Sequence, residues 1–366
     1  MKTIMILVDQ FYLHGGIEKL VSIKANYWAN QSGYKVIIVS TDQQNRHKVY
    51  NLSDKVKFID LNINYKRAIS FFHPKNLGKL IKNVKRVKQV VKNQDPDLIL
   101  VASHIPMTYL LPFINTKVPI AKEFHFSKYT RTPSKKNEFF EKIESRYDWL
   151  IVLSEEEKQF FSSDNVVVIP NPIEVSSNIE IYDLKNKGKV AGAILRFAPV
   201  KQLDKMVTAW EMFYQKNRDW KLYVYGNTQE GNFNEIEALV REKKLKETIV
   251  FKGKTDNIYK ALEEIGVLLM TSANECFPMV ILEANSCGVP VVSFDSPTGP
   301  RNIINHNIDG VIVPHNDIYA LAEQLHEVVN NKERLLKLSR NALINSRLYQ
   351  LDKIMSIWQT KIIDKI

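Results

Sequence analysis

Short apolar runs alternate with amphipathic segments along the first half of the chain. Thr3–Val8, Lys35–Ser40 and Leu98–Ala102 are apolar runs of strand length, and a segment from Gly16 to about Gln31 repeats apolar side chains at helical spacing. A second helical pattern begins near Lys75. Strands that alternate with helices are typical of a parallel sheet covered by helices, and we predict this architecture here.

Three further runs extend this sheet to its end. Val118–Lys122, Trp149–Leu153 and Val166–Ile169 predict strands. Ser154 precedes three glutamates, which predicts a helix N-cap with an acidic first turn that suits the helix dipole. The stiff turn at 170–173 contains two prolines and predicts the end of the first domain.

The same alternation restarts after a polar stretch, Ser176–Gly188, where we place the linker. The predicted strands are Val190–Leu195, Lys221–Tyr225, Thr248–Phe251, Gly266–Met270 and Val289–Phe294, with helices up to about Gln215 and from about Phe233 to Lys244. We therefore predict a second doubly wound α/β domain. The predicted domains are 1–173 and 174–348, followed by a terminal amphipathic helix at 349–366.

Length and composition agree with two globular domains, since 45% of the 366 residues are apolar. No segment approaches the roughly 18 uninterrupted apolar residues of a transmembrane helix, and Met1–Asp9 is typical of a first strand rather than a secretory signal. We expect a cytoplasmic protein. The two cysteines, Cys276 and Cys287, lack metal-ligand spacing and are interpreted as reduced core thiols.

Asp95 and Asp97 resemble a D-x-D metal motif. Because Pro96 separates them and a buried strand follows, we interpret them as a turn that enters that strand. The sequence predicts neither a disulfide framework nor a zinc site.

Positive charge is concentrated in the first half of this chain. The first 170 residues contain 26 Lys plus Arg against 16 Asp plus Glu, whereas the remainder contains 25 against 24. Nine basic residues and no acidic one lie between Leu61 and Gln94, a stretch that includes a predicted basic amphipathic helix from Lys75 onward. One interpretation is a domain helix with solvated lysines. The other is that these cations, with Phe71 and Phe72, bind anionic lipid at the inner face of the cell membrane. The cations concerned are Lys79, Lys82, Lys85, Arg86 and Lys88. No nucleic-acid recognition module accompanies them, so we expect no nucleic acid partner.

The most informative segment is Ser272–Asp295, in which Glu275 and Glu283 stand eight positions apart around a predicted strand-to-helix turn. Loops at the carboxyl ends of parallel strands bind ligands, and a helix N-terminus holds phosphate. The backbone of Phe277, Pro278, Met279 and Val280 is therefore a candidate for binding a diphosphate. The two carboxylates would accept hydrogen bonds from diols, sugar hydroxyls for Glu275 and a ribose for Glu283. This arrangement suits a nucleotide-sugar.

This E-x7-E motif with Phe-Pro inside it resembles the donor site of the family-4 retaining glycosyltransferases of GT-B fold. The resemblance implies two facing Rossmann-like domains with a cleft between them, and a C-terminal helix that crosses back to the first, acceptor-side domain. It also implies a metal-independent reaction without a cofactor. The Thr-Gly-Pro loop at 298–300 is similar to loops in enzymes that build bacterial surface polysaccharides.

Further positions match this family in the expected order. Arg196 and Lys201 match its Arg-x4-Lys cations, which stabilise the leaving diphosphate, and His125 matches a histidine beside the donor sugar, with His104 as a competing candidate. The matching glycine and lysine loops on the donor side are Gly15, Gly16, Gly226 and Lys254. Leu195 and Gln202 stand where the family commonly has glycine, and Asn302 where it has glutamate.

The resemblance thus implies a hexosyltransferase that moves a sugar, most simply from a UDP-sugar, to a hydroxyl of a glycan or lipid-linked acceptor. Two alternatives stay open from the sequence. A nucleotide-sugar epimerase or hydrolase of the same fold would use the donor site without an acceptor, and a non-catalytic subunit would bind the donor without turnover.

Overall fold

The computed structural model describes residues 1–13, 15–114, 117–130, 134–174 and 188–366. The chain divides into unit 1, Met1–Pro172 with Asp352–Ile366, and unit 2, Ile173–Leu351. Of the predicted linker, only Gly188 lies within the described residues.

Unit 1 is built on a parallel sheet whose described strands number seven, in the order β3-β2-β1-β4-β5-β6-β7. The strands are β1 Thr3–Val8, β2 Lys35–Ser40, β3 Val56–Asp60, β4 Leu98–Val101, β5 Ile120–Glu123, β6 Trp149–Val152 and β7 Val166–Val168. Every residue of β1 is buried, as expected for a central strand covered on both faces. In the register, Ile4 lies opposite Val36 on one side and Leu98 on the other.

The helices of unit 1 connect these strands. They are α1 Gly16–Asn30, α2 Leu77–Gln94, α3 Met107–Leu110, α4 Lys135–Glu144, α5 Glu155–Lys158 and, after unit 2, the terminal helix Leu351–Lys361. Ser154 accepts a hydrogen bond from the Glu157 backbone at 3.2 Å, which confirms the predicted N-cap. The Asp95–Asp97 turn is also confirmed: Asp95 ends α2 in the left-handed conformation, and Asp97 binds the backbone of Thr3 on β1.

Unit 2 repeats the plan with a six-stranded parallel sheet in the order β10-β9-β8-β11-β12-β13. Its strands are β8 Val190–Ile194, β9 Lys221–Tyr225, β10 Ile249–Gly253, β11 Val267–Met270, β12 Val291–Phe294 and β13 Val311–Val313. Its helices are α6 Leu203–Lys216, α7 Phe233–Glu242, α8 Ile258–Glu263, α9 Met279–Ser286, α10 Ile318–Asn330 and α11 Lys332–Ser346; the terminal helix is α12. The predicted α/β class with two doubly wound sheets is confirmed.

Two of the edge strands, β3 and β13, escaped the sequence prediction. β13 has only three residues, and β3 is interrupted by Lys57, with Val56 its only buried residue. Helices α4 and α8 are short as well. Helix α9 begins at Met279, and Pro278 is its N-cap in an extended conformation.

Helix α12 packs within unit 1, in part through an aromatic contact. The Trp358 ring meets Trp28 of α1 edge-on, with ring centroids 5.5 Å apart, and both side chains are buried. Tyr34 donates a hydrogen bond to Gln359 at 2.9 Å. The last residues of the chain therefore complete the core of the unit that contains the first ones.

Replacing Trp358 by alanine should destabilise unit 1 by about 3–5 kcal/mol, because it removes a large buried ring and leaves a cavity against Trp28. Urea unfolding followed by circular dichroism measures this loss. Lys353→Ala, at an exposed position of α12, is the control and should change stability by less than about 0.5 kcal/mol. Equal stability of the two variants would contradict the packing described.

Candidate functional site

The carboxyl ends of the unit 2 strands bring most of the predicted donor-site residues to one edge. The strand order places β8 beside β11, where the direction of winding reverses and open α/β sheets bind ligands. Arg196 follows β8 and is exposed, while the loop that contains Glu275 follows β11. Gly226 follows β9, and Lys254 follows the edge strand β10.

Lys201 and Glu275 form an ion pair at this edge. The Lys201 ammonium lies 2.5 Å from Oε1 of Glu275, and their side chains are 23% and 14% exposed. Lys201 ends a 3₁₀ turn and is followed by Gln202 in the left-handed conformation, with φ at 46°. The position where the family commonly has glycine therefore does adopt a backbone that favours glycine.

Backbone hydrogen bonds hold the Glu275 loop from both sides. Toward β8, Thr271 donates its hydroxyl to the carbonyl of Lys201 at 3.0 Å, and the Ala273 amide donates to the Val200 carbonyl at 2.7 Å. Toward β12, the Glu275 amide donates to Pro297 at 3.0 Å and its carbonyl accepts from Thr298 at 2.7 Å. The carboxylate is thus carried by a loop with fixed backbone on each side.

Gly299 permits the close approach of the neighbouring loop. A Cβ atom at this position would lie 2.6 Å from Cδ of Pro278 and 2.8 Å from Cβ of Glu275, both closer than real contacts allow. Gly226 has a comparable packing role, since a Cβ there would lie 2.6 Å from the Leu195 carbonyl oxygen.

Helix α9 begins next to this loop without a side-chain cap. Its first backbone N–H groups therefore retain the donor capacity and partial positive charge that bind anions. Phe277 is buried just before the helix, with its ring edge-on to Tyr349 at 5.7 Å.

Glu283 lies inside α9 and is buried beside Tyr259 of α8. Burial, followed by the charge of Glu283, raises the pKa of the Tyr259 phenol far above its ordinary value. The Tyr259 hydroxyl donates to the Glu174 carbonyl at 2.7 Å. The contact between Glu283 and a ribose stays a prediction.

In unit 1, the predicted residues also gather at a carboxyl edge. Gly15 is the N-cap of α1, and Gly16 opens that helix with no other atom within 4 Å of a Cβ placed there. His104 follows β4, the strand beside β1, and its ring contacts Tyr109. His125 follows β5, with its side chain only 6% exposed.

Two charged residues beside His125 escaped the sequence prediction. Lys24 of α1 forms a buried ion pair with Glu123, the last residue of β5, and Nε2 of His125 lies 3.7 Å from the other oxygen of Glu123. Lys24 stands four residues from both Leu20 and Trp28, on the buried face of α1. In the sequence, the one sign of this ion pair is that a lysine occupies a position in the apolar stripe of α1, which indicates that its charge needs a buried partner.

The structure separates the five predicted membrane-binding cations of α2 into two groups. Lys79, Lys82 and Arg86 donate hydrogen bonds to backbone carbonyls of residues 61–64. Lys85 and Lys88 are exposed on another face together with Leu77 and Ile81, which are 58% and 52% exposed.

The described ranges contain neither a metal-binding cluster nor a membrane-spanning helix. No group of three or more His, Cys, Asp or Glu side chains is arranged to hold a metal ion in these ranges. Nor does any helix among them have the length and apolar character needed to cross a membrane.

Two family models match consecutive parts of the chain. The model Glycosyltransferase Family 4 matches residues 14–177, and Glycosyl transferases group 1 matches residues 175–344. The chain belongs to the GT-B glycosyltransferases of family-4 type. The recognition made from the E-x7-E motif is therefore confirmed.

Relatives of this glycosyltransferase include other bacterial glycosyltransferases. An uncharacterised glycosyltransferase of Haemophilus influenzae is 23% identical, over 98% of this chain and 99% of the relative. A poly(ribitol-phosphate) α-N-acetylglucosaminyltransferase of Staphylococcus aureus is 26% identical, over 58% of this chain and 43% of the relative. The crystal structure of S. aureus TarM with fondaparinux, α-GlcNAc-glycerol and UDP matches with a TM-score of 0.81 and 16% identity, covering 99% of both chains.

Gly299→Ala should displace Glu275 or Pro278 and lower sugar-transfer activity, with a loss of about 1–3 kcal/mol in unfolding free energy from overpacking. Gly78→Ala is the matched control, because its Cβ would meet nothing within 4 Å. Urea unfolding and a transfer assay measure the two effects. Wild-type stability and activity in Gly299→Ala would refute the close approach.

Proposed function

We propose that this glycosyltransferase moves a sugar from a UDP-sugar, with retention of configuration and without a metal, to a hydroxyl of a glycan or lipid-linked acceptor in cell-surface polysaccharide synthesis. The observation that carries the proposal is the Lys201–Glu275 pair, held at the switch point of the unit 2 sheet, where Arg196 follows β8 and α9 begins after the Glu275 loop. One sheet edge then carries two cations, the first N–H groups of a helix and a carboxylate.

These groups have complementary roles toward a nucleotide-sugar. Cleavage of the bond from sugar to diphosphate develops negative charge on the leaving phosphate, which Arg196, Lys201 and the α9 N-terminus would stabilise. Lys201 contacts Oε1 of Glu275, so Oε2 is the oxygen that would accept hydrogen bonds from sugar hydroxyls. The departing diphosphate would take the acceptor's proton on the same face of the sugar, and no protein nucleophile is assigned.

Two proteins similar to this chain support the proposed donor and acceptor classes. The TarM complex contains UDP, and the staphylococcal relative acts on a poly(ribitol-phosphate). A surface polymer with free hydroxyls is the acceptor class that we infer for this chain.

A panel of nucleotide-sugars with a membrane-lipid extract, with and without EDTA, tests the proposal. Nucleotide release and sugar transfer are followed together. We expect EDTA-resistant transfer from a UDP-sugar, with retained configuration by NMR of the product. Release without transfer would favour an epimerase or hydrolase, and binding without release a non-catalytic subunit.

Lys201→Met and Glu275→Gln should each lower the turnover number about 100-fold or more, because each removes a charge proposed to act on the reacting donor. Lys243→Met is the matched control: Lys243 forms a 2.6 Å ion pair with Glu211 in the same unit, with the same 23% exposure as Lys201. Steady-state kinetics measure the change. Equal turnover in Lys201→Met and Lys243→Met would exclude a role for Lys201 in catalysis.

We also propose that α2 binds the anionic inner face of the membrane as a peripheral contact. The support is the exposed stripe of Leu77, Ile81, Lys85 and Lys88, which combines apolar and basic side chains on one helix face. Lys79, Lys82 and Arg86 are engaged with backbone carbonyls, so the lipid contact is assigned mainly to the other two lysines.

Neutralising Lys85 and Lys88 with glutamine should weaken binding to anionic vesicles about 30-fold, at about 1 kcal/mol for each cation near the surface. The paired control is Lys82→Gln with Arg86→Gln, which removes the same charge from a different face and should have a smaller effect. Sedimentation with vesicles of anionic or zwitterionic lipid measures binding. Equal losses in both pairs would show that total charge, and not this stripe, governs the interaction.

A further inference from the structure

Unit 1 contains a buried ion pair that the proposed reaction does not use. Lys24 on α1 contacts Glu123 at the end of β5, and their side chains are 2% and 3% exposed. Burial of charge is costly unless each charge has a partner. Trp358 of α12 covers this pair, with the Lys24 ammonium 4.9 Å from the ring centroid.

The groups around Glu123 keep this carboxylate ionised. Burial favours its neutral form, but Lys24 and then His125 outweigh burial and lower the pKa of Glu123 to about 2. Lys122, the next buried cation, donates a hydrogen bond to the Ser103 carbonyl at 2.9 Å. Glu123 therefore acts only as a hydrogen-bond acceptor near neutral pH.

His125 faces the free edge of this carboxylate. Its Nε2 and the Glu123 Oε2 are both buried without a hydrogen-bond partner among the described residues, and they lie 3.7 Å apart. A carboxylate oxygen facing Nε2 favours the tautomer with the proton on Nε2, because a bare Nε2 lone pair would face negative charge. Burial lowers the pKa of His125; the charge of Glu123 opposes this effect, and those of Lys24 and Lys122 add to it. The ring is then neutral at pH 7, and Nδ1 is its acceptor nitrogen.

We propose that Glu123, locked in place by Lys24, is a positioning residue that holds His125 in the neutral Nε2–H tautomer, so that Nδ1 accepts a hydrogen bond from a hydroxyl of the donor sugar. This inference rests on the proposed function, because His125 is assigned to the donor sugar by family resemblance alone. Glu123 and Lys24 act through the ring and do not touch the substrate.

The tautomer can be observed directly in the full-length protein. Long-range ¹H–¹⁵N NMR distinguishes protonated from unprotonated ring nitrogens, and His125→Gln identifies the His125 signals among those of the eight histidines. We expect Nε2–H with bare Nδ1 at pH 7 in the wild type. In Glu123→Gln, both tautomers should appear and the pKa of His125 should fall further, since a stabilising negative charge is lost. An Nδ1–H tautomer or a charged ring in the wild type would overturn the proposal.

A double-mutant cycle separates positioning from structural support. Glu123→Gln and Lys24→Met each leave one buried charge unpaired, so each should lower Tm and sugar transfer. The double variant removes both charges and should recover Tm, while its turnover number stays about tenfold or more below wild type. If the double variant recovers transfer as well as Tm, the pair is only structural and the proposal fails.

His125→Gln separates this failure from that of the proposed function. Wild-type transfer in His125→Gln would overturn the role of His125 and the positioning proposal together. A loss of transfer in His125→Gln, combined with full transfer in the double variant, would overturn the positioning proposal alone.

Discussion

The Glu275 loop is fixed by hydrogen bonds to loops on both sides, and the geometry of the proposed donor site in unit 2 depends on this constraint. Strands β8, β11 and β12 are neighbours in one parallel sheet, so their carboxyl ends open at one edge. Main-chain bonds from Ala273 to Val200 and from Glu275 to Pro297 join the three loops. Because backbone groups make most of these bonds, the loop path depends on sheet order and on room for close approach. Gly299 provides that room.

The chemistry of this edge follows from the same arrangement. The β8 loop contributes Arg196 and Lys201, the β11 loop contributes Glu275, and α9 starts where its dipole faces the same region. The sheet thereby brings Lys201 into contact with the opposite charge of Glu275, although 74 residues separate them along the chain. Neither a flexible loop nor a single helix would place them with comparable precision.

Sequence patterns predicted the sheets well because their central strands are buried on both faces and therefore form apolar runs. These patterns failed for β3 and β13, which lie at sheet edges and lack long apolar runs.

The glutamate motif was recognisable because its residues are close in sequence. Glu123 was missed as a partner of Lys24 because the contact joins residues 99 apart, and the pattern of α1 shows only that a lysine interrupts an apolar stripe. Likewise, the composition of α2 predicted a basic helix, but only the positions of the 61–64 carbonyls divide its cations between two faces.

The Lys201–Glu275 and Lys24–Glu123 ion pairs differ in exposure, and this difference assigns them different roles. Lys201 and Glu275 retain 23% and 14% exposure, so water screens their attraction and an anionic ligand can compete for the ammonium at modest cost. Lys24 and Glu123 retain 2% and 3%, and separating them would leave a desolvated charge without a partner. An exposed pair can therefore exchange partners during a reaction cycle. A buried pair stays intact, and its charges act on the neighbouring group from fixed positions. In this chain that group is His125, and the ring of Trp358 in α12 lies over the Lys24 ammonium.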